Sequence, residues 1–236
     1  MTIPLLIAIA FSLGFFIESI IGFGGGLIAY AILGFFMDTK NMILSGLYIG
    51  TCASAYILIT DHKSFSKKIF FLSLPVCFLG TIIGVIIFTK LNSETILLIF
   101  AILSIILSIK VIFFDKIKIP KLFKNLLLSI GGISHGLFGI GGPFVVNAVK
   151  EEFKNKSELR STMAVFFVAL NIVRFCQLFI QKTITIGFFT DVWWTIFPVF
   201  IAIFFGFKAH LRISENIFKK LVGTMTFFAG IVFLFK

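Results

Sequence analysis

The chain has 236 residues, of which 59% are hydrophobic and 13% charged, with a formal net charge of +11. Soluble domains carry about 25% charged residues, and a soluble helical core shows polar faces at helical period, which the long apolar runs here lack. The lysines lie in loops between these runs, not in a stripe beside aromatic platforms, so the positive charge points to membrane topology and away from nucleic acid.

The apolar segments, in chain order, fall at about 3–37, 41–60, 69–89 and 95–114, then 124–149, 159–181, 186–206 and 215–235. Most are long enough for a membrane span. The first and fifth are interrupted by glycine runs. Met1-Thr2-Ile3-Pro4 lacks the basic region of a signal peptide, so the first segment is read as retained. Cys52, Cys77 and Cys176 lie inside apolar segments without C-x-x-C spacing. Neither a disulfide framework nor a zinc site is expected, and buried packing is the expectation for each.

The two halves repeat. Gly14, Glu18, Gly22, Gly24 and Gly25 match Gly131, His135, Gly139, Gly141 and Gly142 at a constant offset. The stretch 91–96 resembles 212–217, and Pro75 and Pro198 fall in matching segments. Residues 1–114 and 122–236 therefore read as two transmembrane repeats within one transmembrane domain. Each is a glycine-broken stretch followed by three apolar segments. If each broken stretch is a hairpin, 16 Lys/Arg share one side of the membrane against four on the other (Lys40, Lys90, Lys182 and Lys236). A single crossing would leave the charges evenly split. The positive-inside rule selects hairpins. The predicted fold is thus all-α and polytopic: two inverted repeats, each a broken helical hairpin plus three transmembrane helices, with both termini outside and Trp193 and Trp194 near the outer surface. Inverted repeats with broken helices at the midplane are a plan of secondary transporters.

The glycine runs are the strongest local signal. Gly14, Gly22 and Gly26 recur at four-residue steps, as helix-packing glycines do. Three adjacent glycines, Gly24, Gly25 and Gly26, go further and mark a turn that opens a new half-helix at about residue 27. Its first amides would be free and its dipole end positive, which suits an anion. Gly141, Gly142 and Pro143 repeat the feature, with Pro favoured at a helix start. Four residues before the glycine runs stand Glu18 and His135. Ionisable groups at membrane depth are expensive and usually functional: either can carry a proton, and His135 can also donate to an anion. Interhelical hydrogen bonding is the plainer alternative for both. Arg174 lies mid-segment, and with Asn171 and Gln177 it forms a polar stripe that should face protein or a water-filled site. Its fork of donors suits an oxyanion; an ion pair with Glu18 is the structural alternative. Thr51 and Ser54 are weaker candidates in the matching first-half segment, and Asn147 is a further contact just past the second glycine turn. Asp191 and the charged connector 150–160 read as solvated. No nucleophile elbow, P-loop, metal-ligand spacing or dinucleotide fingerprint occurs, so neither an enzyme nor a cofactor is expected.

The two glycine segments resemble the signature of the sulfite exporter TauE/SafE family, also called DUF81. The residues that carry the resemblance are Gly14, Gly22, Gly24, Gly25 and Gly26, then Gly132, Gly136, Gly139, Gly141, Gly142 and Pro143. The tail Gly206-Phe207-Lys208-Ala209-His210, with Arg212-Ile213-Ser214-Glu215, is similar to that family's closing segment. The family commonly has a proline shortly after the first glycine run, and Leu27–Leu33 has none. The resemblance implies a multi-pass transporter of the cell inner membrane, moving sulfur-containing or organic anions such as sulfite, thiosulfate or sulfonates. The expected function is secondary transport by alternating access, proton-coupled through Glu18 or His135. The expected substrate contacts are Gly24, Gly25, Gly26, His135, Gly141, Gly142, Pro143, Asn147, Asn171 and Arg174. A passive anion channel of the same fold is the alternative. The expected partners are a small anion and the lipid bilayer, with no nucleic acid and a homo-oligomer left open.

Overall fold

The computed structural model describes residues 2–21, 24–61, 65–113, 120–154, 156–184, 190, 192–209 and, near the end of the chain, 223–224, 227–228, 230–231 and 233–235. Regular structure among them is helical: α1 Ile3–Ile21, α2 Gly25–Leu33, α3 Thr39–Asp61, α4 Lys67–Lys90, α5 Ser93–Phe113, α6 Lys124–Phe138, α7 Gly142–Val149, α8 Lys156–Ile180 and α9 Ile196–Ala209. Four of these helices, α1, α3, α4 and α8, are long and apolar enough to cross a membrane. The ends of α3, α4 and α8 lie within three residues of the apolar segments read from the sequence, and α1 covers the part of the first segment that precedes its glycine run. The seventh segment differs more. Its helix begins at Ile196, after a 3-10 turn at Trp193–Thr195. Pro198 then stands in the first turn, where a missing N–H costs nothing. Asp191, His62, His210 and most of 215–235 lie outside the described residues.

The outward faces are apolar. Leu5, Ile9 and Leu13 form one exposed stripe on α1, and Leu98, Ile102, Ile106 and Ile109 another on α5. Such continuous apolar surface is a liability in water and a requirement in hydrocarbon. Cys77 is buried, but Cys52 is only partly so and Cys176 is exposed on α8. An apolar face that meets lipid satisfies a thiol as well as a core does, so the expectation of burial for Cys176 is corrected.

The chain forms two compact units. The first comprises Met1–Gly46, Leu91–Lys118 and Trp194–Lys236. Here α1 packs on α9 and on its own partner arm α2. A Cβ on Gly206 of α9 would come 2.6 Å from Phe16 O and 2.7 Å from Ser19 Cβ. The Tyr30 ring of α2 meets Phe11 edge-on at 6.0 Å and Phe100 at 5.8 Å.

The second unit comprises Leu47–Lys90 and Ile119–Trp193. Its centre is the crossing of α4 over α6, where Gly80 and Gly84 face Gly132 and Gly136. A Cβ on Gly84 would lie 2.8 Å from Gly136 Cα, and one on Gly132 would lie 2.8 Å from Cys77 Cα. Two small-xxx-small pairs let the backbones touch. Thr81 Oγ1 donates to Cys77 O at 2.8 Å and to Gly132 O at 3.3 Å across this seam. α8 also packs against α4, with Gln177 Nε2 donating to Ile82 O at 3.1 Å.

Both units mix the two halves of the sequence. In the first, the broken helix of residues 1–114 packs on α9 from the second half. In the second, the broken helix of the second half packs on α4 from the first. Pro75 lies in α4 and Pro198 in α9, the two segments that the sequence reading pairs.

Candidate functional site

Both glycine runs break a helix. Gly24, just before α2, has φ +97°, and Gly139, just after α6, has φ +75°. Glycine is the residue that reaches this left-handed region without a side-chain clash. At the first break α2 runs back along α1. Gly25 lies beside Gly14 and Glu18, and five residues later Tyr30 lies beside Phe11. At the second, Gly141 lies against Gly131 and His135, and Val145 against Gly131. Each break therefore places the start of a short helix beside the ionisable residue that precedes it. α2 begins at Gly25, two residues earlier than the turn chemistry suggested. Gly26 is its second residue, and Pro143 is the second residue of α7.

The first amide of α2 is not free. Gly25 N–H donates to Glu18 Oε2 at 2.7 Å. The carboxylate sits where an anion would sit, at the positive end of the helix. A Cβ on Gly25 would be 2.9 Å from that same oxygen, so glycine is what permits the contact. Sequence spacing hides this pair, because a turn reverses the chain between its two members.

At the second break the matching position carries an imidazole. His135 is 2% exposed, and its Nε2 lies 3.0 Å from Asn171 Oδ1. Its ring stacks on Phe167, with centroids 5.5 Å apart and planes 8° from parallel. Arg174 is fully buried, and its Nε donates to Gly136 O at 3.2 Å. Phe167, Asn171 and Arg174 occupy one face of α8 at i, i+4 and i+7. That face brings Asn171 and Arg174 to α6, while Gln177 turns to α4. The polar stripe thus faces protein, as its apolar surroundings require. Phe167 was not legible as part of the site, although its spacing from Asn171 and Arg174 was visible.

The other candidates divide. Asn147 Nδ2 turns back to donate to Pro143 O at 2.6 Å in its own helix. Thr51 Oγ1 likewise donates to Leu47 O at 2.6 Å, and Ser54 is buried. At the base of the second hairpin Lys124 pairs with Glu152, joining the start of α6 to the turn after α7.

A family model, Sulfite exporter TauE/SafE, matches residues 6–233, nearly the whole chain. The chain belongs to the sulfite exporter TauE/SafE family. TauE/SafE membership makes it a multi-pass membrane protein that transports sulfite-type anions, in a family of transporters and not of enzymes. Its substrate is accordingly anionic. No curated protein and no solved structure matches.

Proposed function

We propose that this TauE/SafE protein is a secondary carrier that couples a sulfur oxyanion to a proton by alternating access. Its plan is two inverted repeats, each a broken hairpin followed by three spans. Two observations support the plan: the lysine asymmetry, and the reciprocal packing of each broken helix against the second of the three spans of the other repeat.

The observation that carries the binding role is Arg174, a guanidinium with no exposed surface on a membrane-length helix, beside His135. A charge held at that depth is costly unless it has a task, and a guanidinium presents donors in a fork that matches an oxyanion. The remaining contacts in this role are Gly141, Gly142, Pro143, Asn147 and Asn171 beside His135 and Arg174 in the second unit and, beside Glu18 in the first unit, Gly24, Gly25 and Gly26. Glu18 provides the coupling. While ionised it holds the Gly25 amide that an anion would use. A proton on Glu18 weakens that bond and releases the amide, so proton and anion load together.

The test is flux in proteoliposomes, with sulfite and thiosulfate set against acetate and chloride, with and without a pH gradient. Saturable sulfur-anion flux driven by the gradient is the expected result. Arg174→Ala should abolish it while the protein still inserts; normal flux in that variant overturns the assignment. Flux that neither saturates nor responds to the gradient fits a passive anion channel instead.

A further inference from the structure

We infer that the half-site around His135 takes its anion in the hydrogen-bearing form, HO–SO2−, with His135 Nδ1 accepting the ligand's hydroxyl. This rests on the transporter reading above and narrows its substrate to a protonated monoanion.

The inference starts from Asn171. An amide oxygen only accepts, so the contact between Asn171 Oδ1 and His135 Nε2 assigns the hydrogen to Nε2. In the neutral imidazole, Nδ1 is then a bare acceptor. The stacked Phe167 ring fixes the plane of the imidazole, and Asn171, one turn further along α8, fixes its rotation. Nδ1 is buried and has no hydrogen-bond partner among the described residues. A buried acceptor left without a donor costs stability, and native proteins keep few of them.

The chemistry that would satisfy Nδ1 is a donor. A fully deprotonated oxyanion brings only acceptors, and would set lone pair against lone pair. Hydrogensulfite brings one hydroxyl for Nδ1 and two oxygens for positive groups. Arg174 supplies that positive charge from the same face of α8. α7 carries no charged residue, and the lysines of α4 stand at its two ends. Arg174 is therefore the charge set beside the ring. Gly141, packed against His135 Cβ, places the imidazole at the residue before α7 begins.

The experiment is exchange of labelled sulfite at equal pH on both sides, with methanesulfinate as competitor and as alternative cargo. Methanesulfinate replaces the hydroxyl by a methyl group at the same charge and similar shape. The wild-type protein should prefer sulfite by about tenfold or more, because a site built around a ligand hydroxyl rejects the analogue that lacks it. In Asn171→Asp the carboxylate favours the doubly protonated ring, so Nδ1 becomes a donor. The preference should then fall by about tenfold or more. Because the readout is a ratio within each protein, a lower yield of the variant does not alter it. Should the variant fail to insert, the wild-type ratio still decides. Equal exchange of both anions by the wild type overturns the protonated-ligand assignment and leaves the carrier standing. Exchange of neither overturns both.

Discussion

Asp38 closes the turn after α2 and caps α3, its Oδ2 accepting from the Lys40 and Asn41 amides at 3.0 and 3.2 Å. Partial burial pushes its carboxyl up, but the Ser93 hydroxyl, the two amides and the Lys40 charge outweigh it and hold the group below the usual carboxylate range. The sign of the linkage follows: its contribution to stability is complete above the unfolded value of about 4 and is lost as pH falls through the lower folded value. Asp38→Ala should lower stability by about 1 kcal/mol at neutral pH, the usual worth of such a cap. Asp38→Asn keeps an acceptor without the titration. Melting in detergent between about pH 5 and pH 2 should show a shallower acid loss for that variant than for wild type; identical slopes would remove Asp38 from the acid response. Capping of this kind is readable in a sequence, since Asp38 precedes a helix start. The Glu18–Gly25 bond is not, because its donor lies across a reversal whose geometry no local pattern encodes.

Helices in this chain meet through glycines used in two different ways, and substitutions separate them. Gly24 has φ +97° with nothing within 4 Å of an added Cβ, so alanine there suffers only from backbone conformation, at about 1–2 kcal/mol. Gly84 is helical, and its added Cβ would fall on Ile133 O and 2.8 Å from Gly136 Cα. Backbone atoms cannot step aside, so Gly84→Ala must part α4 from α6, at about 1–3 kcal/mol or more. The measurable difference lies in compensation. Gly136→Ala combined with Gly84→Ala should cost much less than the sum of the two, because the first already opens the seam. Gly24→Ala should add to either, in thermal melting of the purified protein. Strict additivity at the seam would mean the glycines do not share one contact. The existence of these helices was legible, since long apolar runs leave few alternatives. Their partners were not: any apolar face fits lipid or another helix. Gly80 and Gly84, opposite Gly132 and Gly136, were the one available signal for the α4–α6 pairing.

At the scale of the whole chain, the proposed duplication and the compact units divide the molecule differently. The proposed repeats are residues 1–114 and 122–236, yet each compact unit combines the hairpin of one with the second of the three spans of the other. Such an exchange suits two halves that fold as one, because each broken helix packs on a helix of the other half. The topology this implies can be tested at five lysines. If each broken stretch is a hairpin that returns to its own side, Lys40, Lys90 and Lys182 share the outer side, while Lys68 and Lys154 share the inner one. If each stretch crossed once, Lys154 would join Lys40 and Lys90, and Lys182 would join Lys68. Single cysteines at these five positions, with Cys52, Cys77 and Cys176 replaced by serine, should therefore label in two groups when an impermeant maleimide is added to intact cells. Positions 40, 90 and 182 should react, and positions 68 and 154 only after lysis. Positions 154 and 182 decide the matter. Labelling of 154 together with 40 would remove the inversion between repeats, and with it the inverted-repeat plan of the proposed carrier.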